Sequence, residues 1–177
     1  MRKARERWEY RGRGRPEFSE PVASGQESVW DYSRPPRIEA DLRNVVVKWN
    51  EIVVAESTGA MRVLETASPP TYYLPPEDVC YDLLTESPGA SVCEWKGRAS
   101  YWSLALQDGQ VIPNVGWTYR RPFEGFEQIA DHMSFYPARL ACFVGGVPVE
   151  PQPGNVYGGW VTPEVVGPFK GGPGTEA

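Results

Sequence analysis

Two reactive side chains, Cys93 and Lys96, lie three residues apart in the segment 93–102. A thiolate is a strong nucleophile, and a neighbouring amine favours the thiolate form. A catalytic cysteine normally also needs a histidine base, however, and residues three apart on a strand point to opposite faces. A buried structural cysteine is the commoner situation. The segment is therefore either part of a binding or catalytic pocket or the central strand pair of a β domain.

Lys96 is the second candidate for chemistry, and Glu65 is the acid considered with it. A lysine among aromatic residues covers apolar surface with its methylene groups or binds an anion such as phosphate or carboxylate. Glu65 follows the apolar residues Val63 and Leu64. A Glu65–Lys96 pair would neutralise both charges and supply acid or base catalysis, whereas a surface ion pair would contribute only about 0–1 kcal/mol.

Aromatic side chains surround these residues along the sequence. Trp95, Tyr101, Trp117 and Tyr136 lie on or near the predicted middle strands. On one concave face, they would form a cage for a flat or cationic ligand. If they face another layer of the fold, they belong to the hydrophobic core. That is the default interpretation, because aromatic residues supply most of the buried area of a small β domain.

Metal and phosphate sites lack their usual motifs. His132 is the single histidine, and Cys80, Cys93 and Cys142 form no close pair of the kind that tetrahedral zinc requires. The Gly-rich residues 171–175 lack the Lys-Ser/Thr ending of a P-loop. We therefore expect no metal and no cofactor.

The composition predicts a β domain. The 177 residues fit one domain with tails, and 18 Pro with 18 Gly favour many short strands joined by turns. Three widely spaced cysteines fit reduced thiols in a cytoplasm, and neither a membrane span nor a secretory signal is recognised. The net charge of −5 makes nucleic acid an unexpected partner except through the N-terminus.

Three regions are expected. Residues 1–26 carry Arg11-Gly-Arg-Gly-Arg15 and predict a flexible basic arm, whose functional alternative is an interaction module for RNA or a protein partner. Residues 27–150 predict the β domain. Residues 151–177 are rich in Gly and Pro but contain Tyr157, Trp160 and Phe169, which predicts an irregular tail docked on the domain.

Local patterns place several elements within the domain. The β-branched segments 45–49 and 52–55 predict a hairpin, and segments 61–65, 71–74, 100–106 and 140–144 predict strands. Residues 81–84 predict a strand or a turn before Ser87-Pro88-Gly89. One short helical turn is expected at residues 76–79, and the apolar spacing of Phe126, Ile129 and Ala130 suggests a short helix within 123–133.

Several motifs resemble a bacterial family. They are Glu65, then Tyr73-Leu-Pro-Pro-Glu-Asp-Val79, then Cys93-x-Trp-Lys-Gly-x-Ala-x-Tyr101, then Trp117-x-Tyr119-x-x-Pro122, then Phe135-Tyr136. Over residues 30–150 the chain resembles the domain of unknown function 427 family, which also carries the name nucleotidyltransferase-like domain. The tail from Tyr157 is similar to that of longer, actinobacterial-type members. Glu94 and Asp131-His132 depart from the family pattern.

The resemblance implies a compact antiparallel fold of the β-tent kind, with one or two short helical turns and an aromatic pocket for a small ligand. The family's recurring polar positions correspond to Glu65, Tyr73, Cys93, Lys96, Tyr101, Trp117 and Tyr136. Together with Trp95 they form the expected ligand-binding set. The expected function is binding of a small molecule, with group transfer through Lys96, Glu65 or Cys93 as the alternative. The sequence identifies neither the ligand nor the oligomeric state, and nothing in these residues independently supports the transferase name.

Overall fold

A computed structural model describes residues 8–154 and 156–172. Fifteen strands are present in the described residues: β1 (Glu27–Ser28), β2 (Arg37–Asp41), β3 (Val45–Trp49), β4 (Ile52–Ser57), β5 (Ala60–Leu64), β6 (Thr71–Tyr73), β7 (Leu84–Cys93), β8 (Gly97–Ala105), β9 (Val111–Thr118), β10 (Met133–Phe135), β11 (Ala141–Val144), β12 (Val147–Pro148), β13 (Glu150–Pro151), β14 (Trp160–Val161) and β15 (Val165–Val166). The predicted mainly β domain is confirmed.

The strands form two larger sheets and three smaller ones. The larger sheets have the orders β10-β9-β8-β7 and β12-β11-β3-β4, and every pairing within them is antiparallel. A three-stranded sheet β2-β5-β6 and a β13-β14 pair are also antiparallel. The β1-β15 pair is parallel and joins the two ends of the chain.

The predicted hairpin at residues 45–55 is confirmed, since β3 and β4 pair in antiparallel fashion. Asn50, between the two strands, adopts the left-handed conformation that a tight turn needs. The predicted strands at 61–65, 71–74, 100–106 and 140–144 correspond to β5, β6, β8 and β11 within a few residues. Residues 81–84, predicted as a strand or turn, form a 3-10 turn that leads into β7 at Leu84, and Ser87-Pro88-Gly89 lies at a register shift inside this ten-residue strand. Pro and Gly are tolerated there because β7 is an edge strand.

Helical structure is limited to single 3-10 turns in the described residues. They cover Val29–Asp31, Pro76–Asp78, Tyr81–Leu83 and Glu127–Ile129. The turn at residues 76–79 is confirmed. The helix expected within 123–133 shortens to Glu127–Ile129, because Gly125 and Asp131 both have positive φ and limit it on either side. No described helix has the length and apolarity needed to cross a membrane.

Three apolar clusters form the core. The largest joins the inward faces of β3, β4 and β11 to residues of β9 and β10, with Phe135 and Trp160 fully buried. The second contains Tyr73, Trp95, Trp117, Tyr119 and Ile129. The third contains Val29, Trp30 and Leu64, and Trp8 and Tyr10 of the N-terminal arm pack against it. The second cluster carries the candidate site.

Contacts of both chain ends are defined in the described residues. In the arm, Arg15 binds Asp31 at 2.6 Å, and Tyr10 and Phe18 each meet Trp30 edge to face. Residues 1–7, which carry four of the seven basic residues up to Arg15, lie outside the described residues. In the tail, Trp160 donates its indole N–H to the carbonyl of Phe135 at 3.0 Å. Residues 155 and 173–177 also lie outside the description.

Candidate functional site

A hairpin turn brings Cys93 and Lys96 to one cavity. Strand β7 ends at Cys93, residues 94–96 form the turn, and β8 begins at Gly97. The extended chain expected through this segment is therefore interrupted, and the alternation of faces that argued against a Cys93–Lys96 pairing does not apply. Gly97 has φ of +101°, a conformation that favours glycine after such a turn.

The cavity has a volume of about 340 Å³, within the range of small-molecule sites. Its lining comes from the sheet of β7 to β10, from β5 and β6, and from the C-terminal tail. The residues that line it include Val63, Glu65, Thr71, Tyr73, Ser91, Cys93, Glu94, Lys96, Ala99, Tyr101, Trp117, Tyr119, Tyr136, Gln152, Tyr157, Gly158 and Lys170.

All the residues of the expected ligand-binding set except Trp95 line this cavity. Trp95 is a buried member of the second core cluster. Its place in the turn between Cys93 and Lys96 directs the indole into the core, so the residue supports the wall without lining it.

Aromatic rings form one wall. The rings of Trp117 and Tyr136 are 4.5 Å apart at 47°, and Tyr73 meets Trp117 edge to face at 6.3 Å. The indole N–H of Trp117 donates to the hydroxyl oxygen of Tyr73 at 3.4 Å. Burial raises the pKa of the Tyr73 and Tyr119 hydroxyls, so both remain protonated at neutral pH and present polar O–H groups to the wall.

Lys96 is the buried cation of this site, with 9% of its surface exposed. Burial lowers its pKa, while the anionic forms of neighbouring groups, Cys93 first and then Tyr119, raise it. The net pKa lies above the ordinary value of 10.5, and at neutral pH, where Tyr119 is protonated, the smaller contributions of Glu65 and Glu94 favour the ammonium. The cavity therefore holds a fixed positive charge beside aromatic rings.

Glu65 pairs with Arg34, and not with Lys96 as the sequence suggested. The Arg34 guanidinium binds the Glu65 carboxylate directly, and the Arg34 side chain is 1% exposed. A buried guanidinium requires such a partner because an unpaired charge is costly to desolvate. Glu65 still contributes to raising the pKa of Lys96 through its charge. Its carboxylate is balanced by Arg34, and none of the ion pairs found in the described chain involves Lys96.

A second lysine reaches the cavity from the tail. The Lys170 ammonium lies 4.8 Å from the ring centre of Trp8 and 5.2 Å from that of Tyr157. The Arg34 guanidinium also lies over the Trp8 ring, 4.4 Å from its centre. Burial lowers the pKa of Lys170, and the positive charge of Arg34 lowers it further against the opposing effect of Glu65.

Sequence reasoning missed the contribution of the tail to this site. Gln152 accepts the N–H of Gly159 at 3.1 Å and donates to the carbonyl of Lys170 at 2.7 Å, which holds two tail segments together. Gly158 lies directly against Trp117. The apolar residues around Tyr157 predicted docking but did not indicate which surface is covered, and Lys170 carries no local signal at all.

The chemical capacity of the site is limited to a few groups. It offers one buried ammonium, a second lysine, a thiol at Cys93, two carboxylates and several phenols. Within residues 8–154 and 156–172, no group of three or more His, Cys, Asp or Glu side chains is arranged to hold a metal ion. The arrangement suits an aromatic ligand with a negative charge.

Comparison with known proteins agrees with the motifs. A search of curated proteins finds no match to the chain. The family described as Domain of unknown function (DUF427) matches residues 37–146, which include the strands β2 to β11 and most of the cavity wall. Because that match covers more than half of the sequence, the chain belongs to the DUF427 family.

Proposed function

We propose that this domain binds a small molecule that combines a flat ring with an anionic group. The observation that carries the proposal is the buried Lys96 ammonium inside a cavity walled by Tyr73, Trp117 and Tyr136. An ammonium with little access to water gains from a carboxylate or phosphate partner, and flat rings pack well on aromatic walls.

The proposal is tested with a matched pair of probes, 2-naphthoate and 2-naphthamide, titrated by calorimetry. The two share a ring system and differ in charge. We expect 2-naphthoate to bind about tenfold or more tightly, because a charge-assisted hydrogen bond contributes about 1.5–3 kcal/mol. Lys96→Gln should abolish that preference by removing the ammonium.

Arg98→Gln is the matched control. Arg98 is exposed on the same hairpin and does not line the cavity. Its loss should leave the preference for 2-naphthoate intact. Equal affinities for the two probes, no binding of either, or a preference that survives in Lys96→Gln would contradict the proposal and favour a structural role for Lys96 as a cover of the core.

A second candidate function is group transfer through Cys93, and one observation favours it. The turn at residues 94–96 places the thiol and Lys96 on the same cavity. An ammonium near a thiol supports the thiolate nucleophile. A Cys93 that reacts with iodoacetamide no faster than the exposed Cys80 at neutral pH would count against this candidate.

A further inference from the structure

A second hollow adjoins the cavity. It has a volume of about 530 Å³ and is lined by Tyr101, Asn114, Tyr136, Ala138, Arg139, Gly154 and Tyr157. Tyr101, Tyr136 and Tyr157 line both spaces. The cavity and this outer hollow are therefore neighbours that share a wall of phenol rings.

The shared wall is polar as well as aromatic. The Tyr101 hydroxyl shares a hydrogen bond of 2.6 Å with Ser91. Burial raises the pKa of Tyr136, and the nearby Tyr101 raises it further. Tyr136 therefore stays neutral at neutral pH, so a negatively charged ligand that passes its edge meets no like charge there.

Arg139 is the charged residue of the outer hollow. It is exposed, and its backbone N–H donates to the carbonyl of Tyr136 at 2.9 Å, which holds its backbone next to a residue of the shared wall. Among the residues that line the hollow no acidic side chain is present, and none of the ion pairs found in the described chain involves Arg139. A guanidinium in this position suits a carboxylate or phosphate.

We infer that the ligand is an elongated dianion whose ring and first anionic group occupy the cavity at Lys96 and whose second anionic group binds Arg139 in the outer hollow. This inference rests on the proposed function and adds a ligand class to it. Lys96 lines the cavity, Arg139 lines the outer hollow, and the two spaces share the rings of Tyr101, Tyr136 and Tyr157. A ligand with a single anionic group, bound at Lys96, would make no ion pair with Arg139.

The test uses 2-naphthoates that carry at position 6 an alkoxy chain of increasing length ending in a carboxylate. Each has a partner whose chain ends in the neutral methyl amide. We expect that at one chain length the carboxylate binds about three- to fivefold more tightly than the matching amide. The gain is small because ion pairs at exposed sites contribute modestly to the binding free energy. Arg139→Gln should remove this gain, whereas the exposed Arg98→Gln should not.

The results with 2-naphthoate and with its chain-bearing derivatives distinguish failure of the inference from failure of the proposed function. If 2-naphthoate binds with its dependence on Lys96 but no chain length shows a gain that Arg139→Gln removes, the inference is wrong and the proposed function stands. If 2-naphthoate fails to bind, both are wrong. A gain that Arg139→Gln and Arg98→Gln reduce equally would reflect general surface charge and would also overturn the inference.

Discussion

Gly158 lies flat against the indole of Trp117. A methyl group at this glycine would overlap Cη2 of the indole and lie 2.8 Å from Cζ3, closer than side chains approach one another. The tail therefore covers the aromatic wall of the cavity at a point where only a glycine fits. This contact links the C-terminal tail to the second core cluster.

Gly158→Ala should destabilise the protein by about 1–3 kcal/mol, because either the tail or Trp117 must move to admit the methyl group. Urea unfolding followed by tryptophan fluorescence measures the change. Gly14→Ala is the control, since a methyl group there meets nothing within 4 Å, and it should change stability by about 0.5 kcal/mol or less. Equal effects of the two variants would show that the tail does not press on Trp117.

Trp160 anchors the same tail. It is fully buried, stacks on Tyr72 with ring centres 4.8 Å apart, and donates to the carbonyl of Phe135. Trp160→Ala should lower the free energy of unfolding by about 3–5 kcal/mol, because buried apolar surface is lost and a cavity is left behind. Leu42→Ala, which alters a side chain 78% exposed, should have little effect in the same urea titration. A Trp160→Ala variant as stable as Leu42→Ala would contradict a docked tail.

Asp41 predicts a specific pH dependence. Burial raises the pKa of this carboxyl, but hydrogen bonds from Arg43 and Tyr72 outweigh burial, so its net pKa lies below the ordinary value of 3.8. A depressed folded-state pKa contributes stability that is present above pH 3.8 and is lost as the pH falls through the folded value. The stabilising effect of Asp41 should therefore be complete at neutral pH.

Asp41→Asn should lower the free energy of unfolding by about 1–3 kcal/mol near neutral pH, and the difference from the parent protein should shrink below pH 3.8. Urea titrations across acidic pH measure both stabilities. Asp82→Asn, at an exposed position, is the control and should follow the parent protein. A difference that stays constant with pH would show that the Asp41 charge is not the stabilising feature.

The three cysteines report on occupancy of the cavity. Cys93 lines it, Cys80 is exposed elsewhere, and Cys142 is buried with a pKa that burial raises. With 2-naphthoate at ten times its dissociation constant, alkylation of Cys93 by iodoacetamide should slow about tenfold. Cys80 should react at an unchanged rate. Site-resolved mass spectrometry distinguishes the sites, and equal rates at Cys93 with and without the probe would exclude binding beside the thiol.

Local chemistry explains which parts of the fold were predictable. The β3–β4 hairpin follows from two β-branched segments around a short turn, so the sequence alone was sufficient there. The full length of β7 was not predicted, because Pro88 and Gly89 disfavour a strand and are accepted here only at the edge of the sheet. Edge positions depend on the order of strands, which short patterns do not contain.

The site shows the same division. Lys96, Trp117 and Tyr136 were named from the motifs and line one cavity. The Glu65–Lys96 pair considered from the sequence is not formed, because Glu65 pairs with Arg34. Arg34 is 31 residues away in sequence, and its proximity depends on the packed fold. Tail residues such as Gln152 and Lys170 escaped prediction for the same reason, since nothing local to them indicates the surface on which they lie.

A crystal structure of the protein with 2-naphthoate tests the central claim most directly. The account predicts ring density against Trp117 and Tyr136, with a carboxylate oxygen about 2.7–2.9 Å from Nζ of Lys96. Density for the probe outside the cavity, or inside it with the carboxylate turned away from Lys96, would contradict the account.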